Sequence, residues 1–268
     1  MSASESAFAG SIPELYERHL GPMLFAPFAA DLTERARTRA PRRVLEVAAG
    51  TGIVTRALHA AFPGADIVAT DLNEGMIALG ARRLAAPNVT WRQADAGALP
   101  FADAEFDLVV CQFGAMFFPD RARAFAEVFR VLVPGGRLLL SMWSSLEFNE
   151  IPRIVARVAA DAFPSDPPTF IERVPHGHGD ADVTTAALRA AGFSTVGVEI
   201  VELPSRAPSA ADAAIGFCQG SPLRMEIEAR DAARLHEITD ATAAAMTERF
   251  GPGPIEAPMR ALVFDAVK

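Results

Sequence analysis

Glu46 stands alone in an otherwise apolar run, Val44-Leu45-Glu46-Val47, and four residues later the chain reads Gly50-Thr51-Gly52. A carboxylate in such a run is costly to bury unless it is paired or hydrogen-bonded. The small residues after it let backbone come close to a ligand. Asp71 ends the next apolar run, Ile67-Val68-Ala69-Thr70-Asp71. It lies about 20 residues past the loop, the spacing at which a strand-end carboxylate accepts hydrogen bonds from ribose hydroxyls. Acid, small-residue loop and second acid together describe a site for an adenosine-containing cofactor.

Two cofactor classes use this geometry, and the glycines separate them. A dinucleotide fingerprint needs Gly-x-Gly-x-x-Gly, so that pyrophosphate can approach a helix N-terminus. Here Ala48 occupies the first glycine position, and Gly52 is followed by Ile53, Val54, Thr55 and Arg56 with no third glycine. Acid-x-x-x-Gly-x-Gly instead resembles motif I of the class I S-adenosyl-L-methionine (SAM)-dependent methyltransferases, with alanine replacing the usual first glycine. The resemblance runs from about Arg43 to Phe193, and the chain looks most like the type-11 group of bacterial small-molecule methyltransferases, which includes ubiquinone-biosynthesis-like members.

That resemblance implies SAM as cofactor and S-adenosyl-L-homocysteine as product. It assigns Glu46, Ala48, Gly50, Thr51 and Gly52 to the loop and methionine end, and Asp71 to the ribose. Leu72 and Met76 would meet the adenine face, Ala94-Asp95-Ala96 would read its amino group through Asp95, and Gln112 and Phe113 would line the methyl-donor end. A sulfonium methyl is already electrophilic, so placement of the nucleophile is the main task and no catalytic side chain is required. Candidates for a proton acceptor are His176, His178 and His19, because imidazole titrates near neutrality, with Tyr16 beside them on an expected N-terminal helix. Tyr16, Phe117, Trp143, Phe148, His176, Phe217 and Gln219 are candidate walls of the acceptor pocket. Cys111 reads as a small buried hydrophobe with no base near it in sequence, and no His/Cys spacing suggests a metal site.

The elements that must hold these residues alternate from Arg43 onward, the pattern of a parallel sheet. Strands are expected at Val44–Val47, Ile67–Thr70, Val89–Arg92, Phe106–Cys111, Arg137–Trp143, Thr195–Val201 and Leu262–Val267, with Leu138-Leu139-Leu140 buried on both faces. Helices are expected at Val54–Ala61, Asn73–Leu84, Arg121–Leu132, Glu150–Ala162 and Val183–Ala191. Before the sheet, Ser11-Ile12-Pro13-Glu14 has the form of a capping box. It predicts a helix to Leu20, a break at Gly21-Pro22 and a second helix over Leu24–Ala40. The expected fold is α/β, a doubly wound Rossmann-like sheet of seven strands, in which the resemblance places a final antiparallel strand between the fifth and sixth. The expected division is N-terminal cap helices over 1–42 and a cofactor-binding core over 43–203 with an insertion at about 144–180. A helical cap insertion over 204–258 and a final core strand over 259–268 complete it, the caps shaping the acceptor pocket.

The 268 residues carry a formal net charge of −8 and a pI near 5.2. Phosphate binding needs a basic face, so nucleic acid is disfavoured as a partner. The N-terminus lacks a basic n-region with a continuous apolar stretch, and no apolar span long enough for a membrane follows. A soluble cytoplasmic enzyme acting on a small molecule is expected, with no membrane partner and with a homodimer left open. The rivals are a SAM-binding sensor without turnover and an NAD-dependent oxidoreductase.

Overall fold

Val44, Ile67, Leu108, Val110, Leu139 and Val263 point to one face of a central sheet and are buried there with Ala29, Leu32, Ala36, Val54 and Leu58 from two helices. Those helices are α2 (Ala26–Ala36) and α3 (Ile53–Ala61), whose apolar residues recur at helical spacing. The computed structural model describes residues 10–268. Its sheet has seven strands, β1 (Arg43–Val47), β2 (Asp66–Asp71), β3 (Val89–Gln93), β4 (Phe106–Gln112), β5 (Leu132–Trp143), β6 (Thr195–Ala207) and β7 (Ile255–Val267). They lie in the order β3-β2-β1-β4-β5-β7-β6. β1 to β5 are parallel to their neighbours, while β7 pairs antiparallel with β5, Leu139 opposite Asp265. The doubly wound seven-stranded expectation therefore holds, including the late strand inserted between the fifth and sixth.

Helix starts follow local chemistry. Asn73 caps α4 (Glu74–Arg83) by accepting from the Met76 N–H at 3.0 Å, and Asp120 caps α5 (Arg121–Val131) by accepting from Arg123 at 3.0 Å. α6 (Glu150–Ala162), α7 (Phe170–Arg173) and α8 (Ala181–Ala190) follow, then α9 (Ala210–Gln219), α10 (Leu223–Asp231) and α11 (Leu235–Phe250).

The N-terminal expectation needs correction in two places. Ser11 does not cap: its backbone is helical, and its hydroxyl accepts from Arg224 at 3.0 Å. Nor does Gly21-Pro22 break the helix. After α1 (Ile12–Leu15) the chain widens into a ten-residue π-helix, Tyr16–Phe25, that carries Pro22 inside it and leads directly into α2. In the wider coil the Ala26 N–H donates five residues back to Gly21. β5 begins five residues earlier than expected, Leu132 pairing with Phe106 across a bulge, and β6 and β7 run on together, bridged by Glu202–Arg260 and Arg206–Glu256.

The chain divides into two compact units. One holds Phe28–Trp143, Gly179–Val201 and Ala261–Lys268; the other holds the described residues up to Pro27, Ser144–His178 and Glu202–Arg260. Residues 28–42 thus group with the sheet, not with an N-terminal cap ending at 42, because Ala29, Leu32 and Ala36 belong to the sheet's core. Within the helical unit, α9 crosses the π-helix at Gly216, where a side chain would meet Leu20 at 2.8 Å and His19 at 3.0 Å. Fully buried Asn149 ties the start of α6 to β7: its amide donates to the carbonyls of Ser145 and Arg260 at 3.0 and 3.3 Å, and its oxygen accepts from the Arg260 N–H at 2.8 Å.

Candidate functional site

The predicted cofactor residues lie at or follow the carboxyl ends of β1, β2, β3 and β4, with Met76 in α4, all within the sheet unit. Glu46 is 2% exposed on β1, and its Oε2 takes the hydroxyl of Thr55 from the first turn of α3. Burial pushes its carboxyl up to about 8, nearby Asp71 adds to that, and Thr55 and Arg56 oppose it. Thr55 is a functional neighbour that sequence reasoning missed. A hydroxyl in the first turn after a glycine loop was its only signal.

Beyond β1 the backbone turns sharply. Ala48, Gly50 and Gly52 all have positive φ, at 58°, 55° and 83°. The glycines serve different needs. A Cβ on Gly50 would meet nothing within 4 Å, so this side of the loop is open for close approach, whereas a Cβ on Gly52 would fall 2.2 Å from the Trp91 ring. The Arg56 guanidinium reaches back to the Thr51 carbonyl at 2.8 Å and steadies the turn.

Asp71 closes the far side of the loop. Its Oδ2 accepts from the Gly50 N–H at 2.8 Å and its Oδ1 from the Asn73 N–H at 2.8 Å. Burial raises its pKa, while the backbone N–H groups of Asn73, Gly50 and Leu72 pull the other way. A carboxylate has about four acceptor directions, so three N–H donors leave part of that capacity unused. The Leu72 carbonyl accepts from Gln93 at 2.8 Å, and the Ala94 N–H donates to the Asp71 carbonyl at 3.0 Å, so the 94–96 turn is fixed beside Asp71. Asp95 is exposed and orders its own turn through the Gly97 N–H, Ala96 is buried, and Met76 packs into the core below Asn73.

At the end of β4 lies Gln112, followed by Phe113 at φ 53°, a strained value for an aromatic residue. Its ring stacks on Trp143 with centroids 3.6 Å apart, and Phe28 meets both rings edge-on at 5.3 and 5.2 Å. Gly114 lets this turn touch Ala48: a Cβ there would lie 2.3 Å from that of Ala48. Phe117 follows, half-buried, in a short 3-10 turn. Cys111 is buried and its thiol is pushed up to about 12 by burial, so it stays protonated at neutral pH.

The candidates of the helical unit scatter over separate elements. Tyr16 stacks on Phe25 at 4.7 Å in the π-helix. His19, also in the π-helix, places Nδ1 3.3 Å from Asp212 Oδ1, and Ser209 donates to the other oxygen of Asp212 at 2.6 Å. Burial lowers the pKa of His19 and Asp212 raises it, burial being the larger effect. His176 is only 8% exposed, with Nδ1 2.8 Å from the Ser144 carbonyl, and burial lowers its pKa to about 4. It is therefore a neutral structural imidazole at neutral pH. His178 is half-buried, and Gly177 between the two packs against the end of α7. Phe148 is 43% exposed under the Arg260 guanidinium, Phe217 is buried, and Gln219 donates to Thr239 at 3.1 Å. Among the described residues no cluster of His, Cys, Asp and Glu could hold a metal ion, and no helix is long and apolar enough to cross a membrane.

Comparison with known proteins gives the same picture. A methyltransferase-domain family profile matches residues 45–140. A demethylmenaquinone methyltransferase of Thermus thermophilus is 40% identical over 134 residues, covering 47% of this chain and 59% of that protein, so the match spans under two thirds of that relative's length. Its counterpart in Clavibacter sepedonicus is 35% identical over 170 residues, 59% of this chain and 67% of that protein. The ubiquinone/menaquinone biosynthesis C-methyltransferase UbiE of Escherichia coli is 34% identical over 176 residues, 59% of this chain and 68% of that protein. Among solved structures, Bacillus YcgJ superposes with a TM-score of 0.59 at 22% identity, covering 90% of this chain and 98% of that one. Phosphoethanolamine N-methyltransferase 2 of Haemonchus contortus, in complex with SAM, gives 0.60 at 17% identity over 96% and 56%. At these identities the structures speak for the fold alone.

Proposed function

As the chain belongs to the class I SAM-dependent methyltransferases of the ubiquinone-biosynthesis-like type, we propose that it transfers the methyl group of SAM to a small organic acceptor by in-line displacement. The observation that carries this reading is the loop between Glu46 and Asp71: open space over Gly50, with a buried acid on one side and a strand-end acid on the other. Those groups fit SAM. Asp71 accepts from the ribose hydroxyls with the acceptor capacity that its backbone donors leave, Glu46 faces the ammonium end, and Asp95 reads the adenine amino group. Bound SAM supplies a methyl carbon made electrophilic by its sulfonium.

The protein then has to align the acceptor and keep water out. Gln112, Phe113 and Trp143 border the methyl-donor end, with Phe117 in the same unit. An acceptor carrying a proton must lose it as the new bond forms. Among the histidine candidates, His19 has a carboxylate, Asp212, against its Nδ1, the arrangement that orients an imidazole for proton transfer. His176 is poorly suited because its pKa lies far below neutrality. Placement alone remains the preferred account of the rate.

A thermal-shift series tests the class. SAM and S-adenosylhomocysteine raise Tm and NAD does not, by preferential binding to the native state; equal stabilisation by NAD reverses the choice. Incubation with methyl-labelled SAM and a metabolite extract then identifies the acceptor. The quinone precursors named for the relatives are the first pure compounds to assay. A chain that binds SAM yet releases no S-adenosylhomocysteine with any acceptor is a sensor.

A further inference from the structure

Trp91 has no place in any cofactor motif, yet two glycines on two different helices are shaped around it. A Cβ on Gly52, at the start of α3, would lie 2.2 Å from its Cη2, and one on Gly80, in the middle of α4, would lie 2.4 Å from its Cζ3. The ring cannot easily turn away, because its Nε1–H donates to the Leu84 carbonyl at the end of α4 at 3.0 Å. Strand register explains how it reaches both. Glu46, Ala69 and Trp91 are partners across β1, β2 and β3, so their side chains leave the same face of the sheet. Ala69 contributes only a methyl group between them. Glu46 therefore meets Thr55 from one side, and Trp91 meets Gly52 from the other, beneath the same first turn of α3.

We propose that Trp91 is a positioning residue for cofactor binding: wedged between Gly52 and Gly80, its indole sets the height and angle of the first turn of α3 over Glu46. This rests on the reading of 46–52 as the SAM loop. The first N–H groups of a helix have no partner within it and are a ready contact for a ligand, and a binding geometry loses affinity when its supporting groups shift by about 1 Å. Gly52 is then required chiefly by the indole and by its own φ of 83°, whereas Gly50 is required by the ligand.

The test uses the full chain with SAM dissociation constants, Tm and steady-state kinetics for Trp91→Leu, Trp91→Phe, Gly80→Ala and the Trp91→Leu/Gly80→Ala pair. Trp91→Leu should raise the SAM Kd and KM about tenfold while kcat at saturating SAM stays within about twofold, the split expected when only cofactor binding is lost. Trp91→Phe, which keeps an aromatic plate, should recover most of the affinity. Gly80→Ala pushes on the indole from a residue with no assigned cofactor contact and should weaken SAM about fivefold, an effect that vanishes in the Trp91→Leu background because the two share one contact. Folded Trp91→Leu and Gly80→Ala variants that bind SAM as tightly as the wild type would overturn the proposal, leaving Trp91 as packing alone. Should Trp91→Leu fail to fold, Gly80→Ala carries the decision: a folded Gly80→Ala variant with wild-type SAM affinity overturns the proposal. A wild-type chain that binds no SAM would overturn the cofactor reading and the proposal with it.

Discussion

Asp71 holds the Gly50 loop with one carboxylate oxygen and the start of α4 with the other. Replacing it by alanine should weaken SAM binding by about 1–3 kcal/mol, the range for bonds to a charged acceptor, and should also lower Tm because two backbone N–H groups lose their partner. Titration calorimetry on the folded variant measures the first effect; unchanged affinity would leave Asp71 a purely structural cap. Glu46 and His176 make opposite demands on pH. The Glu46 carboxyl titrates at about 8 in the native state against 4.5 ordinarily. The native state thus holds a proton that the unfolded chain has released, and the resulting stability is complete below pH 4.5 and lost as pH rises through 8. His176 titrates at about 4 against 6.5 ordinarily. Its contribution is complete above pH 6.5 and lost as pH falls towards 4. Between pH 6.5 and 8 the His176 contribution is complete, while Glu46, with the raised pKa of Asp71 acting in the same direction, loses its own, so Tm of the SAM-free protein should fall across that window. Glu46→Gln should flatten the fall, and His176→Gln should flatten the acid-side loss instead. A wild-type Tm independent of pH from 6.5 to 8 would refute the Glu46 assignment.

At the scale of elements, the turn that carries Asp95 is held from behind by α5. Arg130 donates to the carbonyls of Leu99 and Phe101 at 2.9 and 2.8 Å, and Glu127 accepts from the Leu99 N–H at 2.8 Å. The Arg130 bonds to Glu127 draw that carboxyl's pKa below its usual value. Arg130→Ala should cost about 1–2 kcal/mol of stability, after discount for its partial exposure to solvent, and should weaken SAM several-fold by loosening the Asp95 turn. Urea unfolding and a SAM titration read the two effects separately. Lost stability with intact SAM affinity would remove the 94–101 segment from the adenine site. The π-helix is the element least like its sequence: Gly21-Pro22 signals a stop, but the five-residue hydrogen-bond spacing and the packing of α9 at Gly216 carry the coil across it.

For the whole molecule, a net charge of −8 opposes any phosphate backbone. No salt-dependent association with tRNA or duplex DNA should be seen at physiological salt in a fluorescence-anisotropy titration. A steep salt slope would reveal a basic face that the net charge hides and would reopen the choice of acceptor class. The division into two units assigns the cofactor candidates 46–113 to the sheet unit alone, while the acceptor candidates are shared between both units.

The sequence by itself determined the strand–helix alternation, the glycine loop and the two acids, because these follow from local periodicity, turn chemistry and a fixed spacing along one βαβ unit. It placed every strand core and named Glu46, Gly50 and Asp71. Strand lengths at β5, β6 and β7 escaped it, since an edge runs on where a neighbour supplies partners, whatever the local propensity. Long-range pairings escaped it for the same reason. Thr55 under Glu46, Asp212 beside His19 and the Ser144 carbonyl on His176 join residues 9, 193 and 32 positions apart, and only the folded chain decides which of them meet. His176 shows the consequence most plainly: as an imidazole it was a candidate proton acceptor near neutrality, and burial against a backbone carbonyl turned it into a neutral anchor. Likewise Gly52 reads in sequence as a ligand-facing glycine like Gly50, and the difference between them is a tryptophan two strands away.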